Sequence, residues 1–465
     1  MARITSFRSK KSYQMDMCHG PLVSQIIKFT IPLIISGMLQ FGFNAADLIV
    51  IGRFSTHEAL AAIGATAQLT QFMINVFIGM SIGSNVLVAR YLGENNPQEI
   101  SGSVHTAILT SFWGGLLLAV VGVVTARPLL VLMATPAEIL DMATLYMQIT
   151  FIGMPLVMLY NFGSAVLRAM GDTTRPFYFL VLGGIVNVLL NMFFVIVCGM
   201  DVAGVAIATV VSQGLAGVLI LRVLINTPGP CQFKWQNLRF SWKHLREMLW
   251  IGVPAGFQSS CFSLSNIIVQ SSINSFGSAA VAGITASNSL DMICAIGHTA
   301  ISQSVISFVG QNHGAGKLQR IKGSINICTM MVASWSITLC MLLMIFSEPL
   351  MKIFNEDPDV VYFGAKKLYF LMPTFFLCGV MDTLIGALRG LGKSVSPTIL
   401  TLTIVCLFRV IWIFTVFNPV RRDPGSSVDD AFYALFSCYP LTWLLSAVGA
   451  AILLAVELKK LAKAQ

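Results

Sequence analysis

Twelve long apolar runs set the terms for how this chain can fold. They lie near residues 24–51, 60–88, 102–125, 142–166, 177–199 and 203–225, then near 248–274, 283–309, 323–346, 366–388, 396–418 and 432–456. Each is about as long as a helix must be to cross the ~30 Å hydrocarbon core of a bilayer. Charged residues make up only 11% of the 465 positions, against about 25% in a soluble domain, which excludes a water-soluble protein. The pattern predicts an all-α integral membrane protein of twelve transmembrane helices. The expected divisions are an N-terminal segment 1–23, a first lobe 24–225, a linker 226–247, a second lobe 248–456 and a tail 457–465.

The two sixes are copies of one another. One constant offset takes Pro32 to Pro254, Asn44 to Asn266 and Phe54 to Phe276. An offset shorter by one takes Gly93 to Gly314, Leu167-Arg168 to Leu388-Arg389, Gly171 to Gly392 and Pro176 to Pro397. With six spans each, both copies start on the same side of the membrane. They are therefore parallel repeats, related by an axis along the membrane normal. Two pseudo-symmetric six-helix bundles around a central cleft suit a rocking, alternating-access motion.

Basic residues give the orientation, because cytoplasmic loops are enriched in Lys and Arg. With the N-terminus inside, 21 of the 29 Lys and Arg fall on the inner side, Arg3, Arg8, Lys10 and Lys11 among them. Seven fall outside (Arg53, Arg127, Lys352, Lys366, Lys367, Arg421, Arg422), and Arg409 is the only basic residue well inside a span. Both termini are expected in the cytoplasm, with the chain in the cell membrane. The +9 net charge sits mostly in these short loops, and no basic helix with interleaved aromatics points to nucleic acid. The ten cysteines form no CxxC pair and read as packing residues. No small-residue cleavage site follows a short apolar run near Met1, so no cleaved signal peptide is expected.

Asp47 is the only acid in the first span. A carboxylate in hydrocarbon costs roughly 2.5–3.5 kcal/mol even on the lenient insertion scale. It must face a polar cavity, meet a partner or take up a proton. The plainer reading places it near the helix end, in reach of water; the sharper one makes it a carrier group that gains and loses a proton or cation during transport. Asn187 and Asn191, four apart on one helix face, and Thr209 on the next span can join Asn44 and Asp47 in an oxygen-rich cluster. Such amides and hydroxyls also serve as ordinary glue between helices. Asp47 has no acidic twin, since its counterpart falls at Ile268-Val269.

The second lobe carries Asp291, His298, Asp382 and Arg409 within its spans. Asp291 and His298, seven apart, share a helix face, and Asp382 and Arg409 on successive spans can form a structural ion pair. Four such groups suggest a polar cavity, a candidate stretch of substrate path. Gly386 to Ser394 resembles a phosphate loop only superficially. Ala387 stands where that pattern needs Gly, and no strand precedes it. Gly79-x-x-x-Gly83 reads as close helix packing. No HExxH, CxxC or Gly-x-Ser-x-Gly motif is present, so neither enzyme chemistry nor a resident cofactor is expected.

Taken in order, several stretches resemble the multidrug and toxic compound extrusion (MATE) family of secondary transporters. They are Pro32, Asp47-Leu-Ile-Val-Ile-Gly-Arg53, Leu60-Ala-Ala-Ile-Gly64, Leu167-Arg-Ala-Met-Gly-Asp172, Asn187-Val-Leu-Leu-Asn191, Gly204-Val-Ala-Ile-Ala-Thr209 and Ala387-Leu-Arg-Gly-Leu-Gly392. The resemblance implies a two-lobed antiporter that exports cationic or amphipathic organic compounds against an inward H⁺ or Na⁺ gradient. It implies ion coupling at Asp47, with Asn187, Asn191 and Thr209 completing a first-lobe site that could hold Na⁺. Asn191 stands where the family often has an acid, which leaves Asp47 as the site's one titratable group. The expected partners are small organic, cationic substrates and the lipid bilayer, with no obligate protein partner. Rival readings are a lipid-linked precursor flippase, which would want a row of Arg and Lys along the cleft, and a membrane-embedded lipid transferase, which would want a catalytic cluster at one interface. A channel, the remaining rival, would not need lobes of different chemistry.

Overall fold

The computed structural model describes residues 13–464 and is helical throughout its spans. Arg3, Arg8, Lys10 and Lys11, counted above toward the inner face, lie outside the described residues. The first lobe comprises α1 (Leu22–Phe54), α2 (His57–Gly93), α3 (Pro97–Leu132), α4, α5 (Thr174–Val197) and α6 (Asp201–Asn226). Its α4 is broken into Ala137–Ile152 and Met154–Ala169, bent by 47°. The second comprises α7 (Trp242–Asn274), α8 (Ser278–Gly314), α9 (Leu318–Ile345), α10 (Pro358–Gly390), α11 (Val395–Arg422) and α12 (Val428–Lys463), with a short helix Ser347–Phe354 before α10. Among the described residues ten spans are long and apolar enough to cross a membrane, or eleven with bent α4 counted. The twelfth, α7, has 33 residues but carries Gln258, Ser259, Ser260, Ser263, Asn266 and Gln270 along its middle.

The repeat is visible in detail. Pro32 and Pro254 each sit inside a helix, where proline removes one backbone donor. The break of α4 at Gly153 recurs at the equivalent place in the second lobe, as the tight turn Met372–Thr374 within α10. The helices ending at Arg168 and Arg389 close alike. Gly171 (φ 84°) and Gly392 (φ 78°) take the left-handed conformation. Asp172 N then donates to Leu167 O (2.9 Å) and Lys393 N to Leu388 O (2.9 Å). Both are glycine C-caps, and they explain the loop-like Gly386–Ser394 stretch without a phosphate.

A single difference moves the register. Both lobes have a π-helical turn late in the fifth span, Met192–Val197 and Ile413–Phe417, but α11 has a second at Leu402–Leu407. A π turn takes in an extra residue, so the shorter offset that holds at Pro176 lengthens by one beyond it. Asn187 therefore corresponds to Arg409.

The lobes meet along α1, α2, α7 and α8. Gly79 and Gly83 lie against Gly252 and Gly256, so close that a Cβ on Gly83 would stand 2.2 Å from Met248 O and one on Gly79 2.2 Å from Gly256 N. Small residues let membrane helices approach this far. Near the pseudo-twofold axis, the twin positions Asn85 and Ser307 bond each other (Nδ2 to Oγ, 3.1 Å), and Thr30 Oγ1 lies 2.8 Å from Ser304 Oγ. The segment Met15–Gly20 straps the same face. Met17 is fully buried, its carbonyl accepts from Asn312 Nδ2 (3.1 Å), and Lys317 Nζ donates to Cys18 O (2.9 Å). Further from this face, Ser260 Oγ donates to the Phe72 carbonyl (3.3 Å) and Gly37 packs against Ile296. All four residues are mid-helix, and Asp47 lies beyond them, toward the opposite face.

Candidate functional site: two pockets of opposite character

In the first lobe, α1 is drawn onto α5 by a glycine. A Cβ on Gly184 would stand 1.8 Å from the Phe43 ring, so only glycine lets that ring seat there. One turn further along α1, Asp47 Oδ1 accepts from Asn191 Nδ2 (2.5 Å). Asn191 Nδ2 also approaches Asn187 Oδ1 (3.4 Å), and Asn187 Nδ2 approaches Thr209 Oγ1 (3.4 Å). The structure thus links Asp47, Asn191, Asn187 and Thr209 in one chain of contacts, with Asn187 and Asn191 buried. Asn44 joins Asp47, Asn187 and Thr209 in lining a pocket of about 40 Å³, with Gln40, Ser212 and Gln213. Asn191 Oδ1 is buried without a hydrogen-bond partner. A buried orphan acceptor costs roughly 1–3 kcal/mol, and the carboxylate, amide and hydroxyl oxygens here suit a hard cation. Tyr146 of α4, which the sequence did not single out, lies within electrostatic reach of Asp47. An aromatic residue in a membrane span carries no signal of its own. Gln40 and Gln213 could have been found as amides inside apolar runs.

The second lobe departs from expectation. Asp382 and Arg409 do not pair. Arg409 is buried and donates to Thr442 Oγ1 through Nε and Nη2 (3.3 and 3.2 Å). Its guanidinium sits 4.2 Å from the centroid of the Tyr439 ring. Among the described residues no carboxylate lies within ion-pair distance of Arg409, because α11 turns it toward α12 and away from α10. Asp382 instead clusters with His298 and Cys378, their ligand atoms within 4.8 Å of one another. His298 Nε2 is taken up by Ser336 Oγ (2.7 Å).

Arg409 is also not alone as a basic residue inside the spans. The tenth span begins at Pro358, two turns before the apolar run does, with Asp357 as its N-cap. Lys366 and Lys367, expected outside, are therefore buried in α10. Lys366 pairs with Asp429. Lys367 Nζ donates to Asp291 Oδ2 (2.7 Å) and Asn288 Oδ1 (2.5 Å). Asp291 and Lys367 line a cavity of about 210 Å³ with Asn266, Gln270, Tyr439 and Trp443. Asp291 and His298 share a helix but not a cavity, since His298, Asp382 and Arg409 do not line it.

Comparison with known proteins fixes the family. The MatE family model matches residues 32–193 and again 254–415, one match in each lobe at equivalent positions of the repeat. This chain belongs to the MatE family. Similar proteins include the "Probable multidrug resistance protein YpnP" of Bacillus subtilis (strain 168), 26% identical over 83% of this chain and 86% of that protein. The "FAD transporter" of Shewanella oneidensis is 27% identical over 82% of this chain and 85% of that protein. Among solved structures, the fold is similar to the "Outward-facing conformation of a multidrug resistance MATE family transporter of the MOP superfamily". That match has a TM-score of 0.89 at 18% identity, covering 98% of this chain and 100% of that one. Membership in MatE accounts for the two equivalent six-helix repeats.

Proposed function

We propose that this MatE protein is a secondary active antiporter that exports small cationic or amphipathic organic molecules in exchange for H⁺ or Na⁺, with the first-lobe pocket as the ion site. The single observation that carries the reading is Asp47, an acid in the last third of the α1 span, held by Asn191 beside an unpartnered amide oxygen. The pocket of about 40 Å³ fits an ion and its water, since one water needs roughly 10–15 Å³. Efflux is supported by relatives whose names describe multidrug resistance and export. The basic-residue balance argues for the strapped face in the cytoplasm, and lobes held together on that face fit an outward-open conformation. From outside, the cation or proton binds Asp47 and neutralises it, which favours rocking of the lobes. Inward exposure then discharges the ion as substrate binds. Na⁺, if it is the coupling ion, would meet Asp47, Asn187, Asn191 and Thr209; a proton would sit on Asp47 alone.

Everted membrane vesicles containing the protein, energised by an imposed pH gradient or separately by a Na⁺ gradient, test the reading with a fluorescent amphipathic dye. Uptake under at least one gradient, collapsing when that gradient is dissipated, is expected. Uptake indifferent to both gradients would defeat the antiporter reading.

A further inference from the structure

The repeat allows the two pockets to be compared position by position, and their charges invert. Asp47 corresponds, at the offset that joins Asn44 to Asn266, to Val269, which lines the second-lobe cavity. Tyr146, within reach of Asp47, corresponds at the shorter offset to Lys367. Asn187 corresponds to Arg409 once the extra π turn of α11 is counted. Where the first lobe has an acid, a phenol and an amide, the second has an aliphatic side chain and two cations.

Those cations are not fully offset. Asp291 answers Lys367, and Arg409 has only a hydroxyl and the Tyr439 ring face. Tyr439 itself lines the cavity, so an uncompensated guanidinium stands one ring's thickness behind its wall. A buried cation without a counter-ion is costly, and its field is weakly screened in a low-dielectric interior. Trp443, one turn further along α12, meets the Tyr439 ring edge-on (centroids 5.7 Å) and lines the same cavity, which at about 210 Å³ against about 40 Å³ in the first lobe has room for a ring.

We propose that the second-lobe cavity is a substrate subsite for aromatic compounds bearing an anionic group, with Arg409 and Lys367 setting the preference for negative charge. The ring packs against the Tyr439–Trp443 pair, and the amides of Asn266 and Gln270 meet its polar edge. This rests on the export reading and deepens it. The two lobes divide the work, the acid lobe taking the coupling cation and the basic lobe the substrate's anion.

Binding to the purified full-length protein in detergent tests the subsite without requiring a gradient. Fluorescein, an aromatic anion, and ethidium, an aromatic cation, are titrated by fluorescence anisotropy. Wild type is expected to bind fluorescein more tightly than ethidium. Arg409→Met and Lys367→Met should each weaken fluorescein at least tenfold and leave ethidium within twofold. Arg409→Lys, which keeps the charge, should restore most of the affinity and controls for misfolding. Wild type favouring ethidium, or fluorescein affinity unchanged in both Met variants, would overturn the proposal. Failure of the export reading would look different, as charge-selective binding with no gradient-driven flux.

Discussion

The first lobe places a carboxylate at Asp47 where the second has Val269, and the second places a guanidinium at Arg409 where the first has Asn187. These groups sit on equivalent helices, and the neighbouring α4 and α10 are broken at the same place and capped by the same glycine turns. Chemistry has diverged on a shared frame. The small, oxygen-lined pocket holds its acid on one short amide bond. The larger, aromatic-walled cavity holds a lysine against Asp291 and keeps an arginine behind a tyrosine. The lesson is that symmetry of backbone and asymmetry of charge can coexist at twin positions, which is what the proposed division between an ion lobe and a cargo lobe requires.

The most severe way to break this comparison is to make the first lobe resemble the second. Asn187→Arg puts a cation beside Asp47, and at 4 Å such a pair is worth about 4 kcal/mol at an effective dielectric of about 20. An internal ion pair then replaces the coupling ion. Gradient-driven dye flux should fall by about a thousandfold, to the level of empty vesicles. Retained coupling would mean that Asp47 is not the ion site.

A milder change removes only the partner. Asn191→Leu deletes the bond to Asp47 and the orphan oxygen beside it. A hydrogen bond to a charged group is worth about 1.5–3 kcal/mol, so the ion concentration for half-maximal flux should rise about tenfold or more, with maximal flux less affected. Asn191→Asp sharpens the same point by adding a second acid. Ions moved per substrate, read from the gradient that just balances a fixed dye gradient, should rise above the wild-type ratio.

The smallest effect concerns the twin turns. Asp172 is fully buried in the turn after α4, where the second lobe has the exposed Lys393. Its carboxylate accepts from the Thr174 and Arg175 amides (3.1 Å each) and meets the Arg175 side chain. Burial nonetheless pushes the Asp172 carboxyl above its usual range, against the pull of those bonds and of Arg175. A raised folded-state value means the folded protein binds this proton more readily than the unfolded chain. Its contribution to stability therefore declines as pH rises from the ordinary carboxylate range through the raised value. Asp172→Asn should lower the unfolding temperature by a few degrees, with the deficit larger at pH 4 than at pH 7. An equal deficit at both would contradict the assignment.

Much of this molecule was legible in its sequence. Span lengths and one repeated offset were enough for the twelve-helix, two-lobe frame, because bilayer thickness dictates run length. The first-lobe cluster was legible because Asp47, Asn187 and Asn191 are polar exceptions in apolar runs and the two amides share a helix face. The second lobe was less so. Lys367 looked like a loop residue because its helix starts before the apolar run, at a proline preceded by a capping aspartate. Long basic side chains near span ends ordinarily reach for water, and nothing local says that this one turns inward to Asp291. The Asp382–Arg409 pair failed for a related reason. Adjacency of spans does not fix rotation, and the extra π turn in α11 changes which way Arg409 points. Tyr146 could be found only through the fold.

The division of labour stands or falls on Asp47→Asn, measured for binding and transport in one preparation. The account predicts that the variant binds fluorescein as wild type does, while gradient-driven flux under both H⁺ and Na⁺ gradients disappears. A variant that stays coupled, or that loses substrate binding together with coupling, would contradict it.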